Sequence, residues 1–165
     1  MITIGLLSDT HSYLDDQLFS FFKDVDEIWH AGDFGSIEVA EKLSNFKKLR
    51  GVYGNIDGIE IRNKFPLDEE FKCEEVKVWI THIGGYPGKY EKRVSDKIYL
   101  NPPNLFICGH SHILKVMPDK KIDNYLHINP GAAGKAGLHL IRTAVKFKVD
   151  KQKIEHLEVI ELGKR

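Results

Sequence analysis

The chain has 165 residues, with 24 Lys and Arg against 24 Asp and Glu, a formal net charge of zero and a pI near 7.1. That length suits one domain, residues 1–165, with a sizeable core, and the charge balance excludes the basic excess by which proteins usually grip nucleic-acid phosphates. Two cysteines, Cys73 and Cys108, are too few for a disulfide framework, and no apolar run approaches the length of a membrane span.

The first apolar run, Ile2 to Leu7, reads as a buried strand and starts too early to leave room for a signal peptide. A cytoplasmic protein without a membrane partner is the expectation. The strand delivers Ser8-Asp9-Thr10-His11. Leu14, Leu18, Phe19 and Phe22 then form a stripe at helical spacing, with Ser12 or Asp15 as its cap. Glu27 to Ala31 is a second strand, ending at Gly32-Asp33. Ser36 opens a helix that runs to Leu43. Leu49 to Tyr53 is a third strand, ending at Gly54-Asn55-Ile56-Asp57. Strand, helix, strand, helix, strand predicts parallel strands joined by crossovers.

Ile59 to Phe65 reads as a short edge strand before Pro66. Glu75 to Thr81 alternates and ends at His82. Residues 83–88 form a glycine-rich loop, Tyr90 to Leu100 reads as a helix, and Pro102-Pro103 stops it. Leu105 to Cys108 is a short buried strand, and the Cys108 thiol at its end is expected to be buried. Gly109-His110-Ser111-His112 follows. Beyond it, Leu114 to Met117, Tyr125 to Ile128, Leu138 to Val149 and Ile154 to Leu162 all read as strands, with a hairpin turn at Asp150-Lys151. This makes the second half mostly antiparallel. The edge strand of the terminal hairpin offers a surface for pairing into a homo-oligomer.

Five strands thus end in metal-ligand residue types: Asp9 and His11, Asp33, Asn55, His82, then His110 and His112. In open α/β sheets, ligands bind outside the carboxyl ends of the strands. Seven donors exceed the needs of one ion but suit two ions that share a carboxylate and keep positions open for water and substrate. Gly32, Gly54 and Gly109 each precede a donor, where a glycine permits a sharp bend and a close approach. Alone, Asp9 and His11 would suit a turn and a satisfied histidine; it is the five blocks together that point to metal. The two-residue spacing of His110 and His112 would point both rings to one face of a strand.

These blocks resemble the calcineurin-like metallophosphoesterase superfamily: Asp9-x-His11, Gly32-Asp33, Gly54-Asn55, His82 and Gly109-His110-x-His112 occur in its order. The short chain looks like the small prokaryotic phosphodiesterase branch, the YfcE-like proteins. The resemblance implies an α/β (α+β) fold, a four-layer α-β-β-α sandwich of two mixed sheets. It implies that Asp9, His11, Asp33 and His112 hold one divalent ion, that Asp33, Asn55, His82 and His110 hold the other, and that Asp33 bridges them. Asp33, Asn55 and His110 are the residues assigned to the chemistry. The donor set, oxygen and nitrogen without thiolate, suits manganese first, with iron, zinc and nickel as alternatives. The implied reaction is hydrolysis of a small phosphoester, written as a phosphodiester, by a hydroxide bridging two ions roughly 3.5–4 Å apart.

Two residues depart from the family pattern. Ile56 stands where larger members carry a histidine thought to protonate the leaving group; that assistance is worth about 10²–10⁴-fold. Ile83 follows His82 where the family often has glycine. The competing readings are a binding scaffold that keeps the fold, as in the small subunit of the retromer coat, and a phosphomonoesterase or protein phosphatase.

Other residues read as support or surface. His30 reads equally as a core residue or a contact of the site, and Asp57 as structural. His127 and His139 read as strand residues near the site, and His156 as exposed in the terminal hairpin. The segment Gly84 to Tyr90 reads equally as a surface loop or as a cover for a substrate with a ring. Asn129-Pro130-Gly131 reads as a turn shaping the site floor, and Lys148, Lys151 and Lys153 as a solvated hairpin tip.

Overall fold

The computed structural model describes residues 1–165. One sheet contains β1 (Ile2–Leu7), β2 (Glu27–His30), β3 (Lys48–Gly51), β11 (Ile141–Asp150) and β12 (Lys153–Lys164), in the order β12-β11-β1-β2-β3. The second contains β4 (Asp68–Cys73), β5 (Val76–Thr81), β8 (Leu105–Ile107), β9 (Leu114–Met117) and β10 (Leu126–Pro130), in the order β4-β5-β8-β10-β9. A small hairpin pairs β6 (Gly85–Tyr86) with β7 (Lys89–Tyr90). The helices are α1 (Asp16–Phe21), α2 (Ile37–Phe46), α3 (Ile59–Lys64) and α4 (Lys92–Ile98).

Alternation along the strands decides how these pieces stack. Ile4, Leu6, Trp29, Val145, Phe147 and Val149 face Val76, Val78, Ile80, Leu105, Ile107 and Ile128 across the gap between the sheets. The opposite face of the first sheet carries Ile28 and Ala144, covered by Leu18, Phe22, Val39, Leu43 and Ile61 from α1, α2, α3 and their flanks. Gly5 lies on this face because Phe22 fills the volume its Cβ would take, with ring carbons 2.8–2.9 Å from that position. Trp79 and Phe106 face outward from the second sheet, where Val94 and Ile98 of α4 cover them. The result is the four-layer sandwich of two mixed sheets.

Parallel pairing holds among β1, β2 and β3, and among β5, β8 and β10. The second half is therefore less antiparallel than its strand sequence implies. The α4 crossover returns β8 parallel to β5, and antiparallel pairs in that sheet occur only at its edges, β4 and β9. Ile59 to Phe65 is a helix and its C-terminal cap, not an edge strand. Ile59 is exposed, so the apolar alternation is false; the pair facing the core is buried Ile61 with partly buried Phe65, at helical i, i+4 spacing. β4 had no apolar signature, because Asp68, Glu69, Glu70 and Lys72 interrupt Phe71 and Cys73 on an edge strand. The helix expected from Tyr90 begins at Lys92, since Lys89 and Tyr90 belong to the small hairpin. β11 begins at Ile141, three residues after Leu138, which is 94% exposed.

The core between the sheets sets the first expectation. Phe147 is fully buried, with its ring 5.8 Å from that of Trp29. Phe147→Ala should lower unfolding stability by about 3–5 kcal/mol, read as a shift of the urea midpoint followed by tryptophan fluorescence.

Candidate metal centre

The carboxyl ends of β1, β2, β3, β5 and β8 point to one rim of the sandwich, and the segments leaving them meet there. Asp9, His11 and His112 present donor atoms that all lie within 4.8 Å of one another. Asp33, His82 and His110 form a second such group. Asp33 faces both: its Oδ2 lies 3.2 Å from His82 Nε2 and 3.5 Å from His11 Nε2. Asp9 Oδ1 lies 3.1 Å from His112 Nε2 and 3.8 Å from both His11 Nε2 and His82 Nε2. Asn55 sits apart from this knot. It is exposed, its side chain makes no hydrogen bond, and it lines a cavity that His82 also lines.

The backbone is bent to aim these groups. Ten non-glycine residues of the chain have positive φ, and five of them are Asp9, His11, Asp33, His110 and His112. Such conformations cost roughly 1–3 kcal/mol each and persist only where surrounding structure fixes them. His110 and His112 are therefore turn residues beyond β8, not strand neighbours, and their rings go to different groups. Gly32 (φ 100°) needs glycine twice over, because a Cβ there would also collide with the His82 ring. At Gly54 the reason is contact alone, since a Cβ would fall on the Asp33 carboxylate.

Hydrogen bonds supply the fixing. Asp57 accepts from the backbone N–H groups of Phe34 (3.2 Å), Gly35 (2.9 Å) and Gly54 (2.8 Å), tying the Asp33 turn to the Asn55 turn. Ser8 Oγ and the His110 N–H donate to Asp9 Oδ2 at 2.6 and 3.0 Å, and the Ile56 N–H donates to Asp33 Oδ1 at 3.0 Å. Asn129 donates to the Gly109 carbonyl at 2.9 Å and holds the histidine-bearing turn from below. His30 accepts from the Gly32 N–H through Nδ1 and donates through Nε2 to Thr10 Oγ1. It stacks on Phe34 at 3.7 Å, and burial pushes its pKa down to about 3, so it is a neutral prop beneath the turn.

The sequence model of the calcineurin-like phosphoesterase superfamily domain matches residues 2–152. The chain belongs to this superfamily. A probable metallophosphoesterase of Methanothermobacter thermautotrophicus is 27% identical over 168 residues, covering 97% of this chain and 92% of the relative. A second, from Methanocaldococcus jannaschii, is 28% identical over 140 residues, 78% of this chain and 67% of the relative. Among solved structures, an archaeal phosphodiesterase aligns with TM-score 0.73 at 24% identity, over 96% of this chain and 100% of that one. Vps29 of Entamoeba histolytica bound to zinc aligns with TM-score 0.75 at 13% identity, over 98% and 100%. At these identities the structural likeness concerns the fold.

Metallophosphoesterases use divalent metals, and the rim of this member suits them. Two buried atoms, His11 Nε2 and His82 Nε2, have no hydrogen-bond partner in the protein, and both face the two carboxylates. His82 Nδ1 lies 2.7 Å from the Ala31 carbonyl, which fixes the proton there and leaves Nε2 with a free lone pair. Burial opposes the charge on Asp9, but His11, His112, His82 and Ser8 outweigh it and hold the carboxyl well below the usual range. Burial likewise opposes charge on Asp33, and His82 and the Ile56 N–H reverse it. The Asp9 carboxylate raises the His11 pKa against the effect of burial, and for His82 burial is overcome by Asp33 and Asp9. Two ionised acids thus sit among histidines whose positive form they favour.

His139 was expected merely as a strand residue near the site. Instead it lies in the loop before β11, where its Nε2 is 2.8 Å from the Gly134 carbonyl and its Nδ1 is 3.1 Å from His112 Nδ1. Donating to the carbonyl makes Nδ1 an acceptor, so His112 donates to it and turns its own Nε2 toward Asp9. Its only sequence signal was its histidine identity. His139→Ala should weaken one of two manganese-binding events about 10–100-fold and spare the other, as read by calorimetric titration of the metal-free protein.

Proposed function

We propose that this chain is a two-metal phosphodiesterase acting on a small phosphoester in the cytoplasm. The observation that carries the reading is Asp33 Oδ2, placed between His11 of one donor group and His82 of the other. A carboxylate so shared is what a pair of ions needs. Asp9, His11 and His112 would hold the first ion with Asp33; His82, His110 and Asn55 would hold the second with it. Asn55 is the amide donor whose exposed side chain is free to turn inward. Oxygen and imidazole donors suit manganese, with iron, zinc or nickel as alternatives. When bound, two such ions supply Lewis acidity at phosphoryl oxygens and bring the pKa of a water toward neutrality.

The chain's own residues do the rest. Asp9 and Asp33 keep the rim anionic so that cations concentrate there. His82 and His112 are oriented by Ala31 and His139, so their Nε2 atoms face the two carboxylates without reorganisation. His110, exposed at the mouth, is the imidazole best placed to meet a phosphoryl oxygen. A diester is favoured by the likeness to the archaeal phosphodiesterase; Ile56 offers no proton to a departing alkoxide, which handicaps any ester with a poor leaving group. A non-catalytic scaffold is the second reading, and Ile56 is the feature in its favour.

About two metal ions per chain are expected by elemental analysis, and manganese or nickel should switch on hydrolysis of bis(4-nitrophenyl) phosphate. Asp33→Ala should remove both the bound metal and the activity. Hydrolysis that survives this substitution or chelation would sink the mechanism, and metal binding without hydrolysis would favour the scaffold.

Ile56 is 47% exposed beside Asp33, so a histidine fits there without repacking. Ile56→His should speed cleavage of an alkyl diester by about 10²-fold or more and leave an activated aryl diester nearly unchanged. An unchanged alkyl rate would mean that another acid already serves.

A further inference from the structure

A cavity of about 280 Å³ opens beside His110. The β6–β7 hairpin forms one wall with Tyr86 and Lys89, Lys115 of β9 forms another, and His127 of β10 lines it from within. This is the segment whose tyrosines and lysine suggested a substrate with a ring. Small-molecule sites usually span roughly 300–1,000 Å³, so this one suits a single ring and is too small for a peptide or a duplex.

His127 is 1% exposed, and neither of its ring nitrogens makes a hydrogen bond. Burial pushes its pKa down to about 4, the Lys115 ammonium adds to this, and the Phe106 carbonyl opposes it only in part. The imidazole is therefore neutral at pH 7, with one donor and one acceptor unused. Buried polar groups are nearly always satisfied, and an unpaired one in a cavity wall points to something that visits. The mouth is aromatic and cationic: Lys115 Nζ sits 3.6 Å from the centroid of the Tyr86 ring, Lys89 is alongside, and Glu91 is the one acid of the lining.

We propose that this cavity binds the organic arm of the phosphoester, and that the arm is an aromatic ring with a hydrogen-bonding edge. The inference rests on the phosphodiesterase reading for the position of the phosphoryl group beside His110. From there the arm passes Tyr86 and the lysines, and its polar edge meets an unused ring nitrogen of His127. A purely hydrocarbon arm would leave that imidazole unpaired.

The test is equilibrium binding of three hydrolysis-resistant ligands to the manganese-loaded protein by calorimetry. Methylphosphonate carries only the charged head, benzylphosphonate adds a ring, and 4-hydroxybenzylphosphonate adds a ring with a polar edge. The hydroxybenzyl compound should bind about tenfold tighter than methylphosphonate, with benzylphosphonate between them. His127→Leu should make the two ring ligands equal, without lowering the melting temperature, because an apolar side chain replaces an unpaired polar one. Tyr86→Ala, on the exposed hairpin, should weaken both ring ligands and spare methylphosphonate. Equal affinities in the unaltered protein, or an order unmoved by either variant, would overturn the proposal. Phosphonates are bound without turnover, so absent catalysis leaves this measurement intact; failure to bind even methylphosphonate would instead strike the phosphoesterase reading, and this inference with it.

Discussion

The arrangement at the rim depends on two carboxylates that burial alone would neutralise. Asp9 and Asp33 are both nearly inaccessible, and each raises the other's cost of ionisation. They stay charged because His11, His82 and His112 crowd them with positive or donor character. His11 and His82 in turn hold protons more tightly than in water, because the acids face them. Protons and divalent ions are thus alternative counter-charges for the same knot, and uptake of one implies release of the other.

Holding that knot requires strain, and the strain is concentrated where the chain leaves its strands. Left-handed backbone at Asp9, His11, Asp33, His110 and His112 would relax if the turns were free. They are not free: Asp57 ties two turns together, Asn129 ties down a third, and the Thr10–His30 pair props the first against the second. Each is a buried polar residue whose partners are backbone groups of a turn. Their burial is affordable because those partners satisfy them, and the same bonds make the turns stiff.

Much of this was legible from residue order. Short, largely apolar runs such as Ile2 to Leu7 and Leu105 to Cys108 read as buried strands, so the residues after them were expected at one rim. Glycine before Asp33 and His110 marked sharp exits. What escaped reading lay where sequence pattern and burial part company. Ile59 mimicked strand alternation while pointing to solvent, and β4 hid under the charges that an edge strand tolerates. Leu138 and Leu140 looked like the start of a strand but are solvent-facing loop residues. His139 and His127 could not be separated from ordinary strand histidines, because their roles come from a long-range neighbour in one case and from the lack of one in the other.

The donors come from both halves of the sandwich. Asp9, His11 and Asp33 leave the first sheet, while His82, His110 and His112 leave the second. No disulfide fixes one sheet against the other; the layer of Trp29, Phe147, Ile80 and Ile107 does. That oily layer is therefore the jaw setting of a caliper whose tips are the acids and imidazoles. A sequence change that lets the sheets slide by a fraction of an ångström would retune the reactive gap from a distance, without altering any residue that touches it.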